Sequence, residues 1–423
     1  MHFLNTFQVI ALSSPLALLL LSMALLPLIS PKFWHKYETA IFIFVTLTSL
    51  ISFSLISDKS VKILKNVVVD DYIPFIITLF TLYVLSSGIH IKVRYRPSTM
   101  ANITFLGIGS IFSSLIGTTG ASMLLLRPFL EMNKVRTKKT HLAIFFIFLI
   151  SNIGGLLTPL GDPPLLIGYL RGVHFLWEIE HLFIYWLVFL IPCLIILYVI
   201  DRGVLKDDPL LHIRKEELIG RRIEIRGSLN VCLITSTVII LFIDSIGIIT
   251  RSILLISMCM ISIICGKRAN SKIDLLPFRE VAVTFMVIFI VIAPVLFTLE
   301  TNSTLIHEQI DWWKQHFAES TIYYSMCALA SSFLDNAPSY LLFFNMAGGN
   351  AAELMTSSAN ILEAISVSSV VMGSMTYIGN APNMMVKSIA QNNGVRMPSF
   401  LGYMGWAAAI IIPISIIVNM MIG

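Results

Sequence analysis

Charge is what this chain has least of: 13% of its 423 residues are Asp, Glu, Lys or Arg, against 56% hydrophobic and a mean hydropathy of +0.85. So little polar surface cannot cover a soluble globule, and the composition is that of a polytopic membrane protein. Paired cysteines are missing too. Cys193, Cys232, Cys259, Cys265 and Cys327 lie in or beside apolar runs with no C-x-x-C pair and no histidine partner, so they read as small core hydrophobes. No histidine stands in the middle of an apolar run: His90 and His141 sit at run ends and the rest in loops or termini. Proton-coupled chemistry would therefore have to use carboxylates. No spaced Ser/His/Asp or metal-ligand set supports an enzyme. The net charge of +5 is modest, and the basic residues lie in short loops where they orient the chain rather than bind nucleic acid. The N-terminus has no basic n-region, and no small-residue cleavage site follows its apolar run from Val9 to Ile29. That run reads as a first transmembrane helix, not a signal peptide.

Apolar runs of spanning length fall at 9–31, 39–57, 72–91, 140–170, 182–200, 229–247, 250–266, 280–299, 357–388 and 399–421, which predicts about ten spans. Two further stretches have both flanks of one sign. Residues 97–130 lie between Lys92, Arg94, Arg96 and Lys134, Arg136, Lys138, Lys139, so the positive-inside rule puts both flanks in the cytoplasm. A segment that leaves and returns to one side is a re-entrant hairpin, and Gly117-Thr118-Thr119-Gly120 supplies its turn. Residues 319–347 are flanked by Glu300, Glu308, Asp311 and Glu353 against a single Lys314, which places both flanks outside and the turn at Asp335-Asn336-Ala337-Pro338. Lys267, Arg268, Lys272 and Arg279 mark another cytoplasmic loop, and the six tryptophans fall near span ends, as an interfacial belt requires. Both termini are then expected outside, in a bacterial inner membrane with the lipid bilayer as obligatory partner.

The chain also carries a long-range repeat. Thr158, Gly161, Asp162 and Pro164 recur as Thr376, Gly379, Asn380 and Pro382, and Ser113-Ser114 as Ser331-Ser332, each 218 residues on. The same shift lays span 9–31 on 229–247 and span 182–200 on 399–421. Five crossings per half is odd, so the second half enters the membrane upside down. The expected organisation is a first repeat over 1–205 (hairpin 97–130, broken helix 140–170), a cytoplasmic linker over 206–228, and a second repeat over 229–423 (hairpin 319–347, broken helix 357–388). An all-α polytopic fold of inverted repeats with two re-entrant hairpins and two broken helices is the architecture of an alternating-access secondary transporter. In the linker, Leu210, Leu211, Ile213, Leu218, Ile219, Ile223 and Ile225 among charges suit an in-plane amphipathic piece or an ordinary solvated connector.

The run from Ser151 to Pro164, SNIGGLLTPLGDPP, cannot continue a helix in lipid without other groups taking up the freed amides and carbonyls. Its break leaves a half-helix C-terminus, which offers carbonyls to a cation, and an N-terminus, which offers amides to an anion. Asp162 before Pro163 and Asn380 before Ala381-Pro382 suit N-cap positions. Capping explains an Asx there but not a full charge in one half, since a midplane carboxylate is costly. Asp335 stands at a hairpin tip whose repeat partner is Gly117, and Asn336, two residues before Pro338, suits capping better. A carboxylate poised between desolvation, which favours the acid, and a helix N-terminus or cation, which favours the anion, can exchange a proton for a metal ion. The candidate ion- or substrate-binding residues are Asp162, Asp335, Asn336, Asn380, Thr158, Thr376, Asn152, Thr118, Thr119 and Asn383, with Asp162 and Asp335 the candidates for Na+. Their hydroxyls and amides suit a cation and a carboxylate equally. No basic residue stands at either break, which argues against a multiply charged anion. Glu363, Asp244 and Asp201 lie nearer span ends and read as snorkelling groups.

Three segments, Ser331-Ser-Phe-Leu-Asp-Asn-Ala-Pro-Ser339, Gly373-Ser-Met-Thr-Tyr-Ile-Gly-Asn-Ala-Pro-Asn383 and the run from Ser151 to Pro164, together resemble the ion transporter superfamily. The likeness is greatest to its NhaD-type sodium/proton antiporters, whose relatives include citrate-metal symporters, arsenite permeases and divalent-anion symporters. The resemblance covers most of the chain. It implies a midplane site, a separate scaffold domain, commonly a homodimer with elevator-like motion, and no cofactor beyond coupling Na+ or H+. Family sites would map onto Asp162, Asp335, Asn336 and Asn380. Dicarboxylate-transporting relatives carry Ser-Asn-Thr where this chain has Gly117-Thr118-Thr119, a departure that disfavours organic-anion transport. The expectation is sodium/proton antiport, with citrate or another carboxylate as the alternative cargo and arsenite efflux after it.

Overall fold

A computed structural model describes residues 4–94, 97–206, 222–243, 246–268, 275–301 and 316–423. The first half comprises α1 (Thr6–Ile29), α2 (Pro31–Ile56), α3 (Ser60–Asn66) running through a π-helical turn (Val67–Tyr72) into α4 (Ile73–Ser87), β1 (His90–Arg94), α5 (Thr99–Ile116), α6 (Thr118–Met132), α7 (Thr140–Leu149), a 3-10 turn (Ile153–Leu156), α8 (Pro163–Leu170) and α9 (Phe175–Lys206). The rest comprises β2 (Arg222–Arg226), α10 (Ser228–Phe242), α11 (Ile248–Arg268), α12 (Leu276–Thr301), α13 (Glu319–Phe333), α14 (Asn336–Met346), α15 (Ala351–Thr356), α16 (Ala359–Met372), a second 3-10 turn (Gly373–Met375), α17 (Ala381–Asn392) and α18 (Phe400–Ile422).

Among the described residues, eight helices are long and apolar enough to cross a membrane, and the protein is a helical, polytopic integral membrane protein. These eight and the ten expected runs differ in instructive ways. The runs at 140–170 and 357–388 are each split in two, and the run at 229–247 yields the shorter α10. Conversely α5, half of the expected hairpin, is itself 18 residues long, about 27 Å of helix and close to the hydrocarbon thickness. The strictly all-α expectation also needs correcting. Residues 222–226 of the expected linker form a strand, pairing antiparallel with His90–Arg94 in the register Lys92↔Glu224. The linker's remaining amphipathic stretch, 207–221, lies outside the described residues, as do Asp244 and the acidic flank 302–315.

The broken segments occupy the centre. Every residue from Leu142 to Ile150 exposes 1% or less of its surface, and α7 is accordingly apolar all round, the signature of a helix enclosed on every side. In contrast, Leu55, Ile249, Leu401 and Met420 on the outer helices expose at least 76%, the apolar faces that lipid covers. α1, α2 and α12 pack on one another, α5 packs on α6, and α13 on α14. The second helix of each pair packs on the half-helix of the opposite break: α14 on α8, and α6 on α17.

One buried charge cluster ties this centre together. Asp201 near the end of α9 is fully buried, not a snorkelling end group. Its Oδ1 lies 2.6 Å from Arg136 Nη2 and 2.8 Å from His141 Nε2, while Asn102 Nδ2 donates to Oδ2 at 3.2 Å. Asn133 Nδ2 donates to Asn102 Oδ1 at 2.8 Å, so α5, the loop after α6, α7 and α9 converge on one carboxylate. Removing one partner of a buried pair leaves the other charge uncompensated. Asp201→Asn is therefore expected to destabilise the protein by about 3–5 kcal/mol, read as a lowered unfolding midpoint in detergent, with Arg136→Met restoring much of the loss in the double variant.

Candidate functional site

Each break is forced by glycine and proline and then sealed by side chains. In the first, Gly154, Gly155, Pro159, Gly161, Pro163 and Pro164 interrupt the helix between α7 and α8. The chain folds back so tightly that a Cβ on Gly161 would collide with the Gly155 carbonyl, and one on Gly379 would sit 2.7 Å from the Gly373 oxygen. The freed carbonyls are taken up by hydroxyls of α5: Ser110 Oγ donates to Leu149 O (2.8 Å), Ser113 Oγ to Ile150 O (2.6 Å) and Ser114 Oγ to Gly154 O (2.5 Å). In the second break Ser331 Oγ of α13 donates to Ser369 O at 2.6 Å. Thr158 Oγ1 donates to Ser114 O and accepts from Leu160 N (3.2 Å), while Thr376 Oγ1 donates to Ser332 O (2.6 Å) and accepts from Gly379 N (3.0 Å). Both threonines are thus backbone fasteners.

The two breaks are bolted to each other by asparagines. Asn152 Nδ2 donates to Ile147 O and to Asn383 Oδ1, both at 2.8 Å, and Asn383 Nδ2 donates to Gly373 O (2.8 Å) and Thr376 O (2.9 Å). Asn380 Nδ2 lies within reach of Ser151 O (3.1 Å), Asn152 Oδ1 (3.2 Å) and Asp162 Oδ1 (3.4 Å). Asp162 and Asn380, 218 residues apart, therefore touch. Asn383 and Asn152 serve this bridge. Both Asp162 and Asn380 do occupy N-cap positions, but neither side chain caps its helix. They turn toward one another.

Asp162 is the convergence point. It is buried, and its Oδ1 accepts from Thr118 Oγ1 (2.5 Å) while its Oδ2 accepts from Asn336 Nδ2. Thr118 and Asn336 open α6 and α14, so the tips of both helix pairs grip one carboxylate. Asn336 is not the cap of α14 that its spacing to Pro338 suggests; its amide reaches across to the other half. The opposing tips differ for a backbone reason. Gly117 has φ +82°, a conformation that side-chain-bearing residues rarely adopt, whereas Asp335 has φ −57° and tolerates any side chain. An acid fits one tip and is strained at the other. Thr119, the next residue along α6, is half-buried and donates to neither acid.

Asp335 is half-buried and lines a cavity of about 400 Å³ together with Asn380, Trp34, Glu38, Glu280, Phe285 and Tyr377. It lies within electrostatic reach of Asp162. Among the described residues, no lysine, arginine or histidine lines this cavity. Glu38 and Glu280 are site residues that sequence reasoning missed. The signal was a mismatch of sign, since each stands in a stretch otherwise rich in lysine and arginine.

The balance of donors and acceptors is asymmetric. The amide N–H groups of Asn152, Asn380 and Asn383, one N–H of Asn336 and the Thr118 hydroxyl are committed to acceptors, whereas Asn336 Oδ1 is buried without a hydrogen-bond partner among the described residues. Prolines at 163, 164, 338 and 382 remove N–H donors from the first turns of α8, α14 and α17. What remains uncommitted is acceptor capacity. Among the described residues, no group of three or more His, Cys, Asp or Glu is placed to hold a metal ion.

Residues 6–422 match the model of CitMHS_2, a family described as Putative citrate transport. The chain belongs to this family. Membership, over nearly the whole chain, makes it a member of an ion-transporter-type family, and the split helices fit a secondary transporter. No curated protein matches the chain.

The asparagine bridge makes a stability prediction. Asn152→Ala removes a donor to Asn383 and to Ile147, stranding buried acceptors, and is expected to cost about 1–3 kcal/mol, measured as a lowered unfolding midpoint, before any effect on transport is considered.

Proposed function

We propose that this protein exchanges Na+ for H+ by alternating access, with Asp162 and Asp335 as the acids whose occupancy alternates. The observation that carries the reading is Asp335 lining a cavity whose charged lining residues, among those described, are all acidic, next in sequence to Asn336, whose buried Oδ1 has no hydrogen-bond partner among the described residues. Hard cations take oxygen ligands from carboxylates, amides and hydroxyls, which is the inventory here. An anion would need free donors, and most side-chain donors at the crossing of the breaks already serve other acceptors. Glu38 and Glu280 would concentrate cations at the cavity mouth. In the topology expected from the charge pattern, that mouth faces the cytoplasm, so the described state would be open inward. The equivalent Thr118 and Asn336 meeting on Asp162 support an inverted pair of repeats, 1–205 and 229–423, around a pseudo-two-fold passing near Asp162 and Asn380. The two hairpins and half-helices would move against a scaffold containing α1, α2 and α12, in an assembly proposed to be a homodimer.

A second reading is favoured by the family description: uptake of citrate or a related carboxylate, coupled to cations at the same acids. In that case the carboxylate would enter already partnered by a cation, because the site supplies no positive side chain. Proteoliposomes separate the two. The first reading predicts a Na+-driven pH change that is lost in Asp335→Asn and in Asp162→Asn, with no labelled citrate accumulated; citrate accumulation with no Na+-driven pH change would replace it by the second. Thr118→Val, which removes one donor to Asp162, is expected to raise the Na+ concentration for half-maximal exchange about tenfold or more, the equivalent of one charge-assisted hydrogen bond.

A further inference from the structure

A second acid is hidden in the protein, away from the Asp162 centre. Glu178 lies in the first turn of α9 and is 1% exposed, and neither Oε1 nor Oε2 has a hydrogen-bond partner among the described residues. A carboxylate cannot be held in that setting as an anion, because burial removes its hydration and nothing replaces it. Charged and titratable groups on its own helix and the neighbouring elements have other partners or face solvent. On α9, His181 Nδ1 is 3.0 Å from Trp177 O; on α16, Glu363 accepts from Tyr185 Oη at 2.8 Å; after α8, Arg171 pairs with Asp71 at 2.7 Å. His174 N donates to Met355 Sδ, and Glu353 on α15 is exposed.

The titratable group that does face it is Tyr340, on the same helix as Asn336. Tyr340 is fully buried, within electrostatic reach of Glu178, and bonded to Ser366 of α16. The missing side chain at Gly168 makes room for its hydroxyl against α8. Glu178 thus sits near the place where α8, α9 and α16 meet the helix that begins at the site. Tyr340 is one turn along α14 from Asn336, which holds Asp162.

We propose that Glu178 is a proton-binding site. Its carboxyl takes one proton from water on the side of the membrane where α9 begins, holds it as the neutral acid while α14 is packed against α8, and returns it to water when displacement of α14 exposes it. It stands whichever cargo the Asp162 centre carries. Infrared difference spectroscopy of the purified protein in lipid, wild type against Glu178→Gln, tests it at neutral pH without any substrate. The expected result is loss of one protonated-carboxyl carbonyl band that exchanges slowly in D2O, with the unfolding midpoint unchanged because Gln is isosteric with the neutral acid. In proteoliposomes the same variant should shift the dependence of transport on pH on the α9 side, leaving only the dependence that the cargo itself imposes. A difference spectrum with no protonated-carboxyl component, a wild-type pH profile, or a Gln variant that fails to fold would each overturn it, the last because it would show that the negative charge is needed. A failure of Na+ exchange in the wild type, with the band present, would count against the proposed cargo and leave the proton site standing.

Discussion

Everything at the centre of this protein depends on one constraint: backbone broken inside a bilayer must have its polar groups satisfied by protein. Two helices stop in the middle of the molecule, and neither water nor lipid is available to their orphaned carbonyls. Serines of α5 and α13 reach across to those carbonyls, Thr158 and Thr376 fasten the loops, and Asn152, Asn380 and Asn383 join the two loops to each other. A pair of interrupted helices becomes a single rigid unit. The polar residues that look like ligands in the sequence are mostly consumed in this work.

The asymmetry between the halves follows from the same geometry. Both loops bring an Asx to the crossing point, and only one of the two is ionisable. Three donors converge on Asp162, while Asp335 lines an acidic cavity and receives no such set of side-chain donors among the described residues. The first acid is organised by protein and the second is organised by whatever enters the cavity. The two acids thus stand in different surroundings although both lie at the crossing of the two breaks. The left-handed backbone at Gly117 explains why the first hairpin tip does not carry the acid that the second does.

Legibility varied with the range of the interaction. Glycine and proline act locally, so both breaks could be placed to within a few residues, and Asp162, Asp335, Asn336 and Asn380 were each singled out. Misreadings arose where the partner lies far along the chain. Asp162, Asn380 and Asn336 look like helix caps because Asx before proline usually is one, yet their partners lie 44 to 229 residues away. Asp201 looked like a snorkelling end group because nothing local shows that Arg136, His141 and Asn102 close over it. The strand at 222–226 was hidden for a similar reason, since its partner precedes it by well over a hundred residues.

By itself the sequence determined the class, through a charge content too low for a soluble surface, and the positions of the breaks, through residues that cannot propagate a helix. It also carries two sets of like motifs at one spacing, 218 residues apart. Only the tertiary structure decided which polar groups are free. A threonine or asparagine offers the same atoms whether it seals a carbonyl or faces a cavity, and the difference lies in what packs against it. Thr158 and Thr376 were thereby assigned to the scaffold, Glu38 and Glu280 to the cavity, and Glu178, an unremarkable acid at a helix start, to a buried pocket without a partner.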